Sequence, residues 1–529
     1  MLPPALRGLA ALLPLVALAA APAVAQTPEG VLPAVREYRA AHGGAILREF
    51  AELLAIPNLA TDSANIRRNA AALVAMLERR GVRARLLDGA GGPPAVYGEL
   101  ASAGATRTVV LYAHYDGQPV DTSQWAAPPW SPVLRDRATG NGGRDIPLPA
   151  GDAVDPRASA EWRLYARSAS DDKAPIVAML AALDALKAAG VRPSVNLKFF
   201  FDGEEEAGSP HVRRVLEQNA ALLAADAWVF ADGPVHQTGR QQVVFGVRGT
   251  MGLELTTYGP ARPLHSGHYG NWAQNPIVLL ARLIASMRTD DGRITIAGFY
   301  DRVRPLTAAE RRAVAASPPV DSALRGSLAL ARSEAGGVLA ERIMLPALNL
   351  RGFQGGNVGA LAANAIPAEA RASIDFRLVP DQTPEQVRTL VERHARAQGF
   401  FVTHDSVTPE VRRAHAKVLR MEWEQGYPGI RTPMELPVSQ AVLRAVRLAA
   451  GGSSDSVVTA PMLGGSLPMY VFSDVLKAPL IVLPTVNYDN NQHAANENVR
   501  VGNLWRAIDV FAVLMARLGA EWREERKAS

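Results

Sequence analysis

The sequence predicts an α/β fold, a mostly parallel doubly wound sheet interrupted by an inserted α+β unit, and three observations carry this. From about residue 45 to 240, apolar runs of strand length alternate with helical patterns. Around Val244 that alternation changes, and after about Glu435 it resumes.

Taken in order, residues 62–80 read as a helix with Asp62 as N-cap and Gly81 ending it. VRARLL and AVYGEL follow as short strands, then the β-branched run TVVLYA before His114. Residues 136–160 are rich in Gly, Pro and Asp and read as a long surface loop. Residues 175–189 form a helix with Pro175 in its first turn and Gly190 after it. VNLKFFF and AWVFA are buried-strand candidates, and strand–helix–strand alternation implies parallel pairing with helices on both faces. GVRGTMGLELTTYG, a helix near 275–288, ASIDFRLV and a helix near 384–397 make up the smaller unit. PLIVLP returns as a core strand, and residues 499–518 close the chain as an amphipathic helix. The expected division is 26–244 and 431–529 for the split main domain, with 245–430 inserted.

The 529 residues are 48% apolar and 20% charged, enough for two or more cores and too apolar for disorder. There is no cysteine, which excludes disulfide scaffolds, thiol nucleophiles and iron–sulfur sites. Any bound metal must therefore be held by His, Asp and Glu. The net charge of +5 comes without a long basic run, so no nucleic-acid partner is expected.

Residues 1–25 carry one charge, Arg7, then an apolar stretch ending in Ala-Val-Ala before Gln26. This is the pattern of a secretory signal peptide cut after Ala25, giving a secreted or periplasmic protein. Pro14 and Pro22 interrupt the run, which falls short of the ~20 residues a membrane span needs. No later segment is long and apolar enough to span a bilayer, so no membrane span is expected after cleavage.

Chemistry-bearing residues gather at one predicted edge. His114 and Asp116 follow TVVLYA, Glu204, Glu205 and Glu206 follow VNLKFFFDG, Asp232 follows AWVFA, and His493 comes soon after PLIVLP. Asp171 precedes the helix that begins near Pro175. Carboxyl ends of strands in open α/β sheets are where ligands bind. Two imidazoles and three carboxylates, one of them bridging, suit a pair of metal ions with room for water, and a spare carboxylate can act as general base. Each fragment alone is a turn or a helix start; their common placement is what a surface-charge account leaves unexplained.

These residues sit in segments that resemble the zinc-dependent metallopeptidases of the carnosinase, carboxypeptidase G and acetylornithine deacetylase type. HYDGQPVD, WAAPPWSP (residues 125–132), LYARSASDDK, DGEEEAGSP, VFADGP, RPLHSGHYG, IDFRLVPDQTPE, GGSLP and the late His493 carry the resemblance from about residue 45 to 518. It implies two Zn²⁺, with Mn²⁺ or Co²⁺ accepted by the same donors. The implied ligands are His114, Asp171 (bridging), Glu206, Asp232 and His493. Asp116 would orient His114, and Glu205 would be the general base. His265, in the inserted domain, would stabilise the oxyanion, in dimeric relatives from the partner subunit. Arg377, Gly465 and Ser466, with Asn364, would grip the substrate's carboxylate. The inserted domain becomes a lid and dimerisation domain, and the protein a homodimer.

The motifs lie nearest the dipeptidase branch, which implies hydrolysis of dipeptides or similar short substrates with a free carboxylate. The alternatives are an N-acyl-amino-acid deacylase and, in another class, a metal-free exported binding protein on the same scaffold. Two departures stand out. Ala166, Ser168 and Ala174 occupy positions where relatives carry glycine, which strains the loop wherever such a glycine needs positive φ. The 55 residues from Asp116 to Asp171 are more than relatives have, and the 136–160 segment is the surplus.

Overall fold

The computed structural model describes residues 28–89 and 91–522; the expected signal peptide, residues 1–25, lies outside the described residues. In chain order the strands of the two large sheets are β1 Arg83–Leu87, β2 Ala95–Leu100, β3 Thr108–His114, β4 Asn196–Asp202, β5 Ala227–Phe230, β6 Gln241–Val244, β7 Gly249–Tyr258, β8 Ala347–Gln354, β9 Glu369–Leu378, β10 Phe401–Thr403, β11 Val418–Trp423, β12 Val457–Ala460 and β13 Leu480–Val482.

The first sheet has eight strands in the order β1-β2-β4-β3-β5-β13-β6-β12. Its centre is parallel: β3 pairs with β4 and β5, and β13 with β5. The β1–β2 and β2–β4 pairings are antiparallel, as is β13–β6, so the sheet is mixed although mostly parallel. Both faces are covered, which is why its strands read as unbroken apolar runs. Val109, Leu111, Phe199 and Phe201 point to one core, packed by the helices Pro28–Leu54, Lys173–Ala188, Pro437–Ala449 and Val501–Glu521. Val110, Tyr112 and Phe200 point to the other, where Trp228, Phe230 and Phe472 complete an aromatic cluster. Alternation with period two sends successive side chains to opposite cores.

The second sheet has the order β8-β9-β7-β11-β10 and is antiparallel except at β10–β11. The helices Pro276–Met287 and Pro384–Ala397 bury their apolar stripes on it. Between β7 and β8 the chain leaves this sheet. Helix Ala308–Ala315 packs beside β12 of the first sheet, and a buried Arg431–Glu310 pair at 2.8 Å helps hold it there.

Several expectations need adjusting. The Pro175 helix starts at Lys173, two residues early, because Pro is tolerated within a first turn. The helix after Asp62 ends at Glu78, and Asp62 does accept the Asn65 N–H. The 136–160 segment is not simply a surface loop. Asp145–Ile146 joins Val133–Arg135, Arg163–Tyr165 and Asn498–Arg500 in a small antiparallel sheet. Farther on, Gly44 N–H donates to Asp152 O (2.7 Å) and Val154 N–H to Ala40 O (2.9 Å), pinning the segment along the first helix. A Cβ on Gly44 would collide with the carbonyl of Gly151, so that approach needs glycine.

Candidate metal centre

Parallel register places His114 opposite Asp202, with Asp116, the Glu triplet and Asp232 just beyond the same strand ends. His114 is fully buried. Its Nε2 lies 2.9 Å from Asp171 Oδ1, and His493 Nε2 lies 3.0 Å from Asp171 Oδ2. One carboxylate thus faces two imidazoles. Glu206 Oε2 is 3.2 Å from His493 Nε2, and Asp232 Oδ2 is 3.9 Å from His114 Nε2. His114, Asp171 and Glu206 form one group with donor atoms within 4.8 Å of one another, and His114, Glu205 and Asp232 form another.

The Glu triplet is sorted by what each residue meets. Glu204 turns away and accepts the backbone and ring N–H of His211, at 2.7 and 2.8 Å. Asp116 accepts the N–H of Glu205 and of Glu206, each at 3.0 Å, so it caps the turn that presents both. It also lies 3.3 Å from His114 Nδ1.

Electrostatically the site is an anionic pit. Burial, then the charge of Asp171, raises the Asp232 carboxyl to about 7. Burial, only partly offset by His114, raises Asp116 to about 6. Glu205 is pushed well up by burial and by Asp232 and Glu206, against the pull of His114. Burial opposes the charged forms of His114 and Asp171, yet their mutual hydrogen bond and those to Asp116 and His493 outweigh it. They drive His114 well up and Asp171 far down. Hydrogen bonds to Asp171 and Glu206 raise His493 to about 10, against burial. Converging carboxylates around two imidazoles are stable when cations replace the protons, so the donors fit two hard or borderline divalent ions.

A scaffold that the sequence reading did not single out holds Asp171. Glu497, fully buried, accepts the N–H groups of Ser168, Ser170 and Asp171 (each 2.9 Å), the Ser170 hydroxyl (2.8 Å) and the Arg167 guanidinium (2.7 Å). The WAAPPWSP segment supports the same loop. Pro129 O accepts Arg167 N–H, Trp125 lies under the Arg167 guanidinium, and Trp130 Nε1–H donates to Asn58. Of the three glycine replacements, only Ser168 takes positive φ, at 60°. Its hydroxyl accepts from Asn58 Nδ2 (2.8 Å) and donates to Asp116 O (3.3 Å), which offsets the strain. The one signal for Glu497 in the sequence was its place four residues after His493.

The predicted substrate groups fall into two sets. Arg377, at the end of β9, donates to Ser466 Oγ at 2.9 Å and to Asp375 at 3.0 Å, while Gly465 O accepts Arg248 N–H at 3.1 Å. Burial and the charge of Glu205 push the Tyr427 hydroxyl up, while Arg377 pulls it down. His265 and Asn364 form the other set. The strand Leu264–His265 pairs with Ala365–Ile366, and Asn364 O accepts Ser266 N–H. Both residues are exposed, and among the described residues no hydrogen bond or ion pair links them to the carboxylate cluster. Trp272, Val358 and Leu361, 80%, 87% and 75% exposed, belong to the same inserted unit.

The peptidase dimerisation domain family matches residues 245–400. The Cys-Gly metallodipeptidase of Saccharomyces cerevisiae is 26% identical over 430 residues, covering 80% of this chain and 82% of that protein. The human Beta-Ala-His dipeptidase is 24% identical over 433 residues, covering 80% and 78%. An M20 family metallo-carboxypeptidase from Sulfolobus solfataricus superposes with a TM-score of 0.72 at 27% identity, over 90% of this chain and 99% of that one. The chain belongs to the M20 metallopeptidase family and lies nearest its branch of Cys-Gly and Beta-Ala-His dipeptidases.

Proposed function

We propose that the protein hydrolyses the amide bond of dipeptides and similar short substrates that carry a free carboxylate. The observation that carries this reading is Asp171 held between His114 and His493, with Glu206 and Asp232 beside them, in a chain whose relatives include two kinds of dipeptidase. His114, Asp171, Glu206, Asp232 and His493 would hold the two divalent ions, zinc by preference for imidazole and carboxylate. When bound, such ions lower the pKa of water and polarise a carbonyl oxygen.

The chain's own residues supply the remaining chemistry. Glu205, half-buried and with its affinity for a proton raised, accepts the proton of the attacking water and returns it to the leaving amine. Asp116 fixes the turn that aims Glu205. Arg377, braced by Ser466, takes the substrate's carboxylate in its fork, with Gly465 alongside. His265 and Asn364 reach the site of a second copy, so the working unit is a homodimer formed through the inserted domain. We read residues 1–25 as an export signal; a mature protein beginning at Gln26 is the expected result of N-terminal sequencing.

Metal-stripped and zinc-reconstituted protein, assayed on a panel of dipeptides and N-acyl amino acids, tests the reading. Zinc-dependent turnover of dipeptides is expected. Turnover confined to N-acyl amino acids would replace it with deacylation.

A further inference from the structure

A cavity of about 790 Å³ opens between the returning segment 313–344 and the edge of the first sheet. Val314, Val320, Ile343, Met344, Met462 and Leu463 give it a mostly apolar lining. It adjoins the catalytic apparatus on two sides. Pro234, two residues past Asp232, lines it, and so does Gly464, next to Gly465 and Ser466.

Arg248 also lines the cavity. Its Nε–H donates to Gly464 O at 2.8 Å, and among the described residues no carboxylate pairs with it. Burial and the nearby charge of Arg377 bring Arg248 down to about 10, with Asp375 opposing. Asp375 itself is paired with Arg377 at 3.0 Å. Among the described residues Asp375 is thus committed to Arg377 and no carboxylate is left for Arg248, so the place beside the two guanidinium groups suits an anion. An anion there, with an apolar cavity behind it, matches an amino acid with a free carboxylate and a large apolar side chain.

We propose that Arg248 joins Arg377 in holding the substrate's free carboxylate, and that this cavity receives the side chain of the residue bearing it, selecting large apolar groups. The proposal rests on the dipeptidase reading and adds its substrate class. An apolar pocket typically discriminates by ~10-fold or more for each added methylene.

The test measures kcat/KM for Ala-Gly, Ala-Leu and Ala-Phe on the zinc-loaded enzyme. Ala-Leu and Ala-Phe are expected to exceed Ala-Gly by at least ~10-fold. Ala340→Phe, which fills the cavity, is expected to cut the Leu:Gly ratio by a similar factor. Arg248→Met is expected to raise KM for every dipeptide far more than it lowers kcat, with Arg248→Lys restoring part of the loss. Equal rates on all three dipeptides, or an Ala340→Phe variant with the wild-type ratio, would overturn the proposal. Thermal protection by free leucine against free glycine reads the cavity without turnover. Stronger protection by leucine supports the proposal and equal protection overturns it, even if no dipeptide is cleaved and the dipeptidase reading itself fails.

Discussion

The Glu497 carboxylate accepts the backbone N–H of Asp171 at 2.9 Å, joining residues 326 positions apart. An acid that faces no substrate thereby fixes the loop that presents Asp171 to two imidazoles. Glu497→Gln keeps the side chain's size but replaces one acceptor oxygen with a donor and leaves the buried Arg167 charge unpaired. We expect metal affinity to fall ~10–100-fold, the usual loss when a group supporting a ligand is removed. Competition with a chelator measures it, and unchanged affinity would remove Glu497 from the account.

Ser168 gives a prediction about stability. Ser168→Ala keeps a side chain at φ 60° and loses both hydroxyl bonds, whereas Ser168→Gly loses the same bonds but relieves the backbone. Urea denaturation should show the alanine variant less stable than the glycine variant by ~1 kcal/mol or more. The opposite order would mean that the loop is not strained at this residue.

The pH dependence follows from the pairing at Asp171. His493, raised to about 10, contributes stability that is complete below its unfolded value near 6.5 and is lost as pH climbs through its folded value. His114, driven well up, acts in the same direction. Asp232, raised to about 7, becomes a buried unfavourable charge over the interval above its unfolded value near 3.9. Asp171 is depressed, so its contribution is present above about 3.9 and vanishes only in acid. Metal-free protein should therefore lose resistance to urea from pH 5 to pH 9, and zinc should restore most of it. Zinc binding near neutral pH should also release protons, measurable by calorimetry in buffers of different ionisation enthalpy. Chelated protein that is more stable at pH 9 than at pH 5 would contradict this electrostatic picture.

His265 is exposed, and among the described residues no hydrogen bond or ion pair links it to the carboxylate cluster of its own chain, so we expect it to act on a partner's substrate. Mixing inactive His265→Ala and Glu205→Ala subunits should restore activity, because one site of the mixed dimer then has both groups intact. If mixed dimers form and remain inactive, His265 does not act in trans.

The sequence makes the centre of the molecule readable and its periphery much less so. β3 and β4 are apolar on both faces, so TVVLYA and VNLKFFF announce buried parallel strands, and the residues beyond their ends converge. The antiparallel outer pairings of β1, β2 and β6 leave no such mark, since strand direction is set by distant connections. The 136–160 segment resembles a loop because it is held to the first helix by backbone bonds and by the Arg48 side chain, which composition does not encode. Glu497 and Arg248 carry no local mark in the sequence for a related reason. Each derives its meaning from partners hundreds of residues away, Asp171 for one and Gly464 for the other.

We propose a two-metal hydrolase whose base is Glu205. Its most direct measurement is metal content and dipeptide turnover on the same preparation of Glu205→Ala. Two divalent ions per chain are expected, as in the wild type, with turnover reduced by at least ~100-fold, the scale of a lost general base. A variant that keeps its metal and still turns over near the wild-type rate would contradict it.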